Sequence, residues 1–269
     1  MALICSIIHN IQLLPYFLAY YSKRGVDRFI FVLWKADSRT DASTIGQYLQ
    51  GYSSKLIPLN HEEFSPEIDC HHHNDVRRKY VAGNEWYVIC DLDEFHCLRG
   101  FPSFDSAVRI AESEKCEYVR TTLLDRLSDD GEFPEVLDFS RSLGDQFPLG
   151  AQVTDNIING CTSKVCLARS DVVVQPGHHF CLGRASTIEG TTHHFKWWGS
   201  FLTEQSRRAQ LKNAITPKYK SEIARLRRYI KENRGRISVQ AKELNCYYVV
   251  DDPAQIRLPT EKWQLSESN

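Results

Sequence analysis

The chain has 269 residues, 42% of them hydrophobic and 25% charged, with a net charge of −1. That is the composition of an ordinary soluble globular protein, long enough to build its own core without staples. Near-neutral charge gives no global field for nucleic acid, and no run of about 20 apolar residues is present to span a bilayer.

The nine cysteines are odd in number, and none forms a CxxC pair. Cys5, Cys90 and Cys246 sit in apolar runs, where a thiol behaves as a small hydrophobe. A reducing, cytoplasmic setting is expected. The opening "MALICSII" lacks a basic leader region and stops at His9-Asn10, so it reads as a strand and not as a signal peptide.

In chain order, "ALICSII" is a continuous, partly β-branched run, the mark of a strand buried on both faces. "IQLLPYFLAYYSKRG" has helical spacing, with Pro15 in its first turn and Gly25 as its stop. "RFIFVLW" is a second buried strand. "TDASTIGQYLQGY" reads as a helix capped by Thr40 or Asp41. "KLIPL" is a strand, "DVRRKYVAG" a helix ending at Gly83, and "EWYVICD" a fourth strand. The alternation predicts an open, mostly parallel α/β sheet with flanking helices, its ligand beyond the carboxyl ends of the strands. Further on, "FDSAVRIAESE" reads as a helix and "EYVRTTLLD" as a strand. "SKVCLAR" and "DVVVQPG" read as short strands, residues 200–233 as two basic helices broken near Thr216-Pro217, and "ELNCYYVV" as a last strand.

The fourth strand ends in "DLDEF". Positions i and i+2 of a strand face one way, so Asp91 and Asp93 are expected to project together. Two like carboxylates side by side repel unless a cation lies between them, and hard oxygen ligands suit Mn²⁺ or Mg²⁺. A strand-end cap or solvated turn is the plainer alternative for such a tripeptide.

"HNIQLLPYFLAYYSKRGVDRFIFV" followed by "WYVICDLDEF" resembles the GT-A glycosyltransferases of the family-two type. In particular it is similar to a bacterial branch marked by "LPEWLAYHxxLGVDHF" and "DxDEF". "LLDRLSDDGEFP", "SKV", "GHHF" and "HHFKWW" are similar to further signatures of that branch. The likeness runs over about residues 3–205. It departs where the branch has an acidic residue and this chain has Ile11, and where "DNGSTDGS" is replaced by "WKADSRTDAS".

The resemblance implies a GT-A domain over 1–198 and a C-terminal helical extension over 199–269. It implies metal-dependent transfer of a sugar from a nucleoside-diphosphate donor, a UDP-sugar first, to a hydroxyl of a glycan or lipid-linked acceptor. Asp91 and Asp93 would hold the metal. One of His193 and His194 would assist, with His194 assigned to the metal and His193 to the acceptor. His9, Asn10 and Asp37 would meet the donor, while Arg77 and Lys196 would offset its phosphates. Trp197 or Trp198 would stack on a sugar or base, and His179 would either line the acceptor site or simply pack. Inverting transfer needs a carboxylate base. Asp125 is preferred because it ends an apolar strand and precedes Arg126; Asp129, Asp130 and Glu132 remain open. The triplet His71–His73 is compositionally like a metal tag but reads as a solvated helix start. The basic C-terminal segment suits either a solvated face or an anionic leaflet. The rival readings are a nucleotidyl or phosphoryl transferase, although no P-loop is present, and a non-catalytic carbohydrate-binding relative.

Overall fold

Ala2–Ile7 forms β1 with every residue buried. Its place inside the sheet explains the unbroken apolar run, because no face of the strand meets water. The computed structural model describes residues 1–8, 11–34, 42–59, 65–199, 201, 217–250 and 253–258. Asp41 and Thr40, the expected caps, lie outside these residues, as do His9, Asn10, Asp37 and Thr216.

After β1, the helix α1 (Leu14–Lys23) carries Pro15 in its first turn. Gly25 takes a φ of +95° and lets the chain turn into β2 (Arg28–Trp34). Then come α2 (Ala42–Tyr48), β3 (Ser54–Leu59), α3 (Pro66–Tyr80) and β4 (Trp86–Asp91). β1 pairs in parallel with β2 and β4, and β2 with β3. The spatial order β3-β2-β1-β4 therefore reverses at β1. Such a reversal opens a crevice beyond the carboxyl ends of the two strands that flank it. Here those ends are Ser6 and Asp91, partners in register.

α3 begins earlier than its sequence pattern suggests. Ser65 caps it by accepting from Ile68 N, Pro66 occupies the first turn, and Glu67 and Asp69 are favourably placed near the positive end of the helix. The histidine triplet consequently lies mid-helix, not at a start. His71 is exposed and His73 is buried.

The chain then folds back through β5 (Glu94–Leu98) and α4 (Phe104–Ser113) to β6 (Tyr118–Leu127). Beyond a short helix α5 (Leu143–Gln146) follow β7 (Leu149–Ala151), β8 (Ser163–Arg169) and β9 (Gly190–His194). β8 is antiparallel to both β4 and β6. β9 lies between β5, antiparallel, and β6, parallel. The result is an α/β architecture with an open mixed sheet, parallel in its first half, and helices on both faces. The expected strand "DVVVQPG" is instead a turn-rich segment whose Val174 makes a single bridge to Cys181.

One face of the sheet packs α1 and α4 around Phe17, Tyr20, Tyr21, Phe31, Phe95 and Phe195. The other packs α3 over Ile4, Ile30, Trp34, Val165 and their neighbours. The helix α6 (Pro217–Glu232) buries Leu226 and Ile230 against Leu149, Trp197 and Phe201. β10 (Tyr247–Tyr248) closes that side by pairing with β7. None of the nine cysteines is in a disulfide. Among the described residues no helix is long and apolar enough to cross a membrane.

Phe95 is 1% exposed and meets the rings of Phe17, Tyr20, Tyr21 and Phe195. Phe95→Ala should cost about 3–5 kcal/mol, the range for emptying a large buried aromatic site. Urea unfolding checks it.

Candidate functional site

β4 ends at Asp91, the chain turns through Leu92 and Asp93, and β5 starts at Glu94. Leu92 is buried and anchors the turn. Two of the three acidic side chains share one partner. Lys164, on β8, places its Nζ 2.6 Å from Glu94 Oε1 and 3.0 Å from Asp91 Oδ2. Its third partner is the carbonyl of Gly177, at 3.0 Å. Glu94 also accepts from the backbone N of Asp91 at 3.2 Å. Burial works against ionising Asp91, but the Lys164 charge overrides it and holds the carboxyl well below the usual range. Burial pushes Glu94 up to about 7, with Asp91 adding to the rise and Lys164 opposing it. Burial would strip the proton from Lys164, yet the two carboxylates keep it charged.

Asp93 faces the other way. Its Oδ2 is 3.6 Å from His194 Nε2, too long for a hydrogen bond and a separation that two ligands of one ion can adopt. The backbone carbonyl of Asp93 accepts from Phe195 N, which fixes the turn to the end of β9. His194 is oriented from behind: its Nδ1 is 3.1 Å from Asp125 Oδ1. Nε2 is thereby directed at Asp93, the carboxylate–imidazole arrangement that aims histidine ligands at metals. Burial opposes protonation of His194, but Asp93 and Asp125 together raise its pKa above the ordinary histidine value. Asp93, Glu94 and His194 each bring one ligand atom within 4.8 Å of the others.

Two expectations change here. Asp91 and Asp93 face different neighbours: a lysine ammonium stands beside Asp91, and His194 beside Asp93. Asp125 does not face a substrate: it is 1% exposed and accepts from Thr154 N, Thr154 Oγ1, His194 Nδ1 and Trp197 Nε1. Those bonds spend its lone pairs and hold it ionised against the cost of burial. It stands behind His194 and orients that ring.

The other expected residues scatter. Trp197 is 1% exposed and packs against Phe201, so its ring is closed to a sugar. Trp198 is equally buried, at 2%. Arg77 is 3% exposed and donates to the carbonyl of Val172, which keeps it from a diphosphate. His193 points away from His194, as strand alternation requires, and pairs with Arg126 at 3.0 Å. It lines a cleft of about 740 Å³ with Arg120, Thr122, Thr162 and Thr191. That cleft includes none of Asp91, Asp93, Asp125 or His194. His179 is half-buried with Nδ1 2.7 Å from Ser163 O. Lys196 is half-exposed, its Nζ 5.2 Å from the Phe201 ring centre. Asp129, Asp130 and Glu132 are exposed and line a second cleft of about 360 Å³. Lys164 is the buried cation at the acidic tip, and no sequence motif marks it as such. Its signal is a lysine placed just before the apolar run "VCLA" of the strand "SKVCLAR".

No protein-family model matches the chain, and no curated protein matches it. Solved structures with a similar course of chain include HddC from Yersinia pseudotuberculosis, at 12% identity and a TM-score of 0.32 over 52% of this chain and 66% of that one. The inositol-1-phosphate CTP transferase from T. maritima is 12% identical, with a TM-score of 0.33 over 84% of this chain and 96% of that one. An apo UDP-glucose pyrophosphorylase is 10% identical, with a TM-score of 0.35 over 87% and 99%. The chain spans just under two thirds of the length of HddC. Likeness of this degree assigns neither an activity nor a substrate.

Lys164→Met should destabilise the protein by about 3–5 kcal/mol, because it strands the buried Glu94 carboxylate, and the half-buried Asp91 beside it, without their counter-charge. Adding Glu94→Gln to the same chain should recover part of that loss, as read from urea midpoints.

Proposed function

We propose that this chain is a divalent-metal-dependent transferase acting on a nucleoside-diphosphate sugar, and that it moves the sugar to a hydroxyl of a glycan or lipid-linked acceptor. The observation that carries the reading is the line Asp125–His194–Asp93 at the switch point of an open α/β sheet. A buried carboxylate aims an imidazole at a partly exposed carboxylate, where nucleotide ligands of such sheets bind. Asp93 and His194 would hold Mn²⁺ or Mg²⁺, with Glu94 beside them. When bound, the cation would offset charge gathering on the departing diphosphate.

This chain's own residues divide the remaining work. His9, Asn10 and Asp37 follow β1 and β2 in sequence and are assigned to the donor nucleoside. Lys196, next to the metal histidine in sequence, is assigned to its phosphates. Transfer breaks the bond from the anomeric carbon to the diphosphate oxygen and makes one to the acceptor oxygen, whose proton must leave. With Asp125 fully engaged, the exposed carboxylates Asp129 and Glu132 are the candidates to receive it; Asp130 is occupied in its turn by Ser128 Oγ and Glu132 N. α6 leaves Lys220, Arg227, Arg228 and Lys231 exposed. They suit an anionic surface carrying a lipid-linked acceptor.

Nucleotidyl transfer is the second reading. A carboxylate-held cation serves attack at phosphorus as well as at an anomeric carbon, and CTP transfer is named for one of the similar structures. It also needs cations around a triphosphate, and the segment after β1, "IHNIQLLP", contains no Lys, Arg or Gly. Incubation with UDP-sugars, and separately with CTP or UTP plus sugar phosphates, divides the two: release of UDP supports sugar transfer, release of pyrophosphate the alternative.

Asp93→Ala should abolish turnover and Mn²⁺-dependent UDP binding in calorimetry while leaving the unfolding midpoint near that of the parent. Asp125→Asn should retain the fold and weaken Mn²⁺ binding about 10–100-fold, the usual loss when a partner behind a ligand is changed. Titration of Mn²⁺ with a paramagnetic relaxation readout measures it.

A further inference from the structure

A second group of potential ligands lies apart from Asp93 and His194, among Asp69, His73 and His178. Asp69 and His73 stand one turn apart on α3, so their side chains share a face. His178 reaches them from the 176–178 turn, in which both Gly177 (φ +72°) and His178 (φ +55°) are left-handed. A bulky residue in that conformation costs of order 1–3 kcal/mol and persists where its surroundings demand it. The three residues are 4%, 2% and 1% exposed.

Their bonding is incomplete in one place. Asp69 Oδ1 is held by Ser6 Oγ and by Trp34 Nε1, and His73 Nε2 lies 2.7 Å from the same Ser6 hydroxyl. Asp69 Oδ2 faces His73 Nε2 at 3.7 Å and His178 Nε2 at 3.9 Å, both beyond hydrogen-bond reach. Neither ring nitrogen of His178 has a hydrogen-bond partner, nor has Nδ1 of His73. His178 Nδ1 is 3.8 Å from Asp91 Oδ1. A buried imidazole with two idle nitrogens is a costly arrangement. The ligand atoms of the three residues lie within 4.8 Å of one another. A tetrahedral ion with bonds of about 2.0–2.1 Å sets its ligands roughly 3.3 Å apart, so a small inward shift brings all three to bonding distance.

We propose that Asp69, His73 and His178 supply three ligands of a buried, structural transition-metal site of zinc type, its fourth position taken by water, that pins α3 to the 176–178 turn beneath Asp91. Two imidazoles and one carboxylate favour Zn²⁺ over Mg²⁺ or Ca²⁺. Ser6 and Trp34 fix the carboxylate from behind, as partners of a metal ligand do. When His73 Nε2 turns its lone pair to the ion, the Ser6 hydroxyl keeps Asp69 as its acceptor. Burial closes the site to substrate, so its role is to hold the ground under Asp91 and Lys164, whose Gly177 contact belongs to the same turn.

The test uses full-length protein carrying Asp93→Asn, which silences the other group, after removal of metal by a chelator. Titration with Co²⁺ should give one equivalent with the strong visible absorption of a four-coordinate ion, displaced by Zn²⁺. His178→Gln in that background should weaken Co²⁺ binding roughly 100-fold or more, with its far-ultraviolet circular dichroism unchanged, while His194→Gln should leave the spectrum as it was. No cobalt bands, or bands that survive both His178→Gln and Asp69→Asn, would overturn the proposal. If His178→Gln does not fold, X-ray absorption of the zinc-loaded Asp93→Asn protein decides: two imidazoles around zinc support the site, and one or none refutes it.

Discussion

One ammonium group organises the acidic tip. Lys164 is buried, and its three contacts join β8 to Asp91 at the end of β4, to Glu94 at the start of β5, and to the turn at Gly177. A buried charge is tolerated only when it is paired and hydrogen-bonded, so these contacts must form together or not at all. The same contact settles which carboxylate remains for a cation. With Asp91 and Glu94 drawn to Lys164, Asp93 is the acidic group left to face His194. A pattern that looks like two matched ligands thus divides between a lysine and a histidine.

Much of the frame was legible because it obeys local rules. β1, β2 and β4 are buried on both faces and read as unbroken apolar runs. α3 was readable in principle from Ser65-Pro66-Glu67, a capping signal outweighed by the polar histidines that follow. β9 was not readable. "GTTHH" has no apolar alternation, and it is a strand because β5 and β6 supply hydrogen bonds from either side. Propensity says little where such long-range pairing decides.

The site was legible in part for the same reason. The resemblance and the strand-end position drew attention to Asp93 and His194. They could not reveal what surrounds Asp125, because Thr154, His194 and Trp197 lie far along the chain and converge only on folding. Seen in sequence, Asp125 is a carboxylate at a strand end beside an arginine. Seen in place, Arg126 turns to His193 and the carbonyl of Phe147, and the two neighbours serve opposite faces of their strand.

That opposition gives the doublet at the end of β9 an unusual tolerance. His193 and His194 answer to different partners, so a slip of the strand by one position would normally exchange one side's chemistry for the other's. In the direction that carries His193 into the place of its neighbour, Asp125 would still meet an imidazole, and the loss would fall on Arg126 instead. Repetition of the same side chain makes the pairing robust to a misthreaded intermediate on one face and exacting on the other.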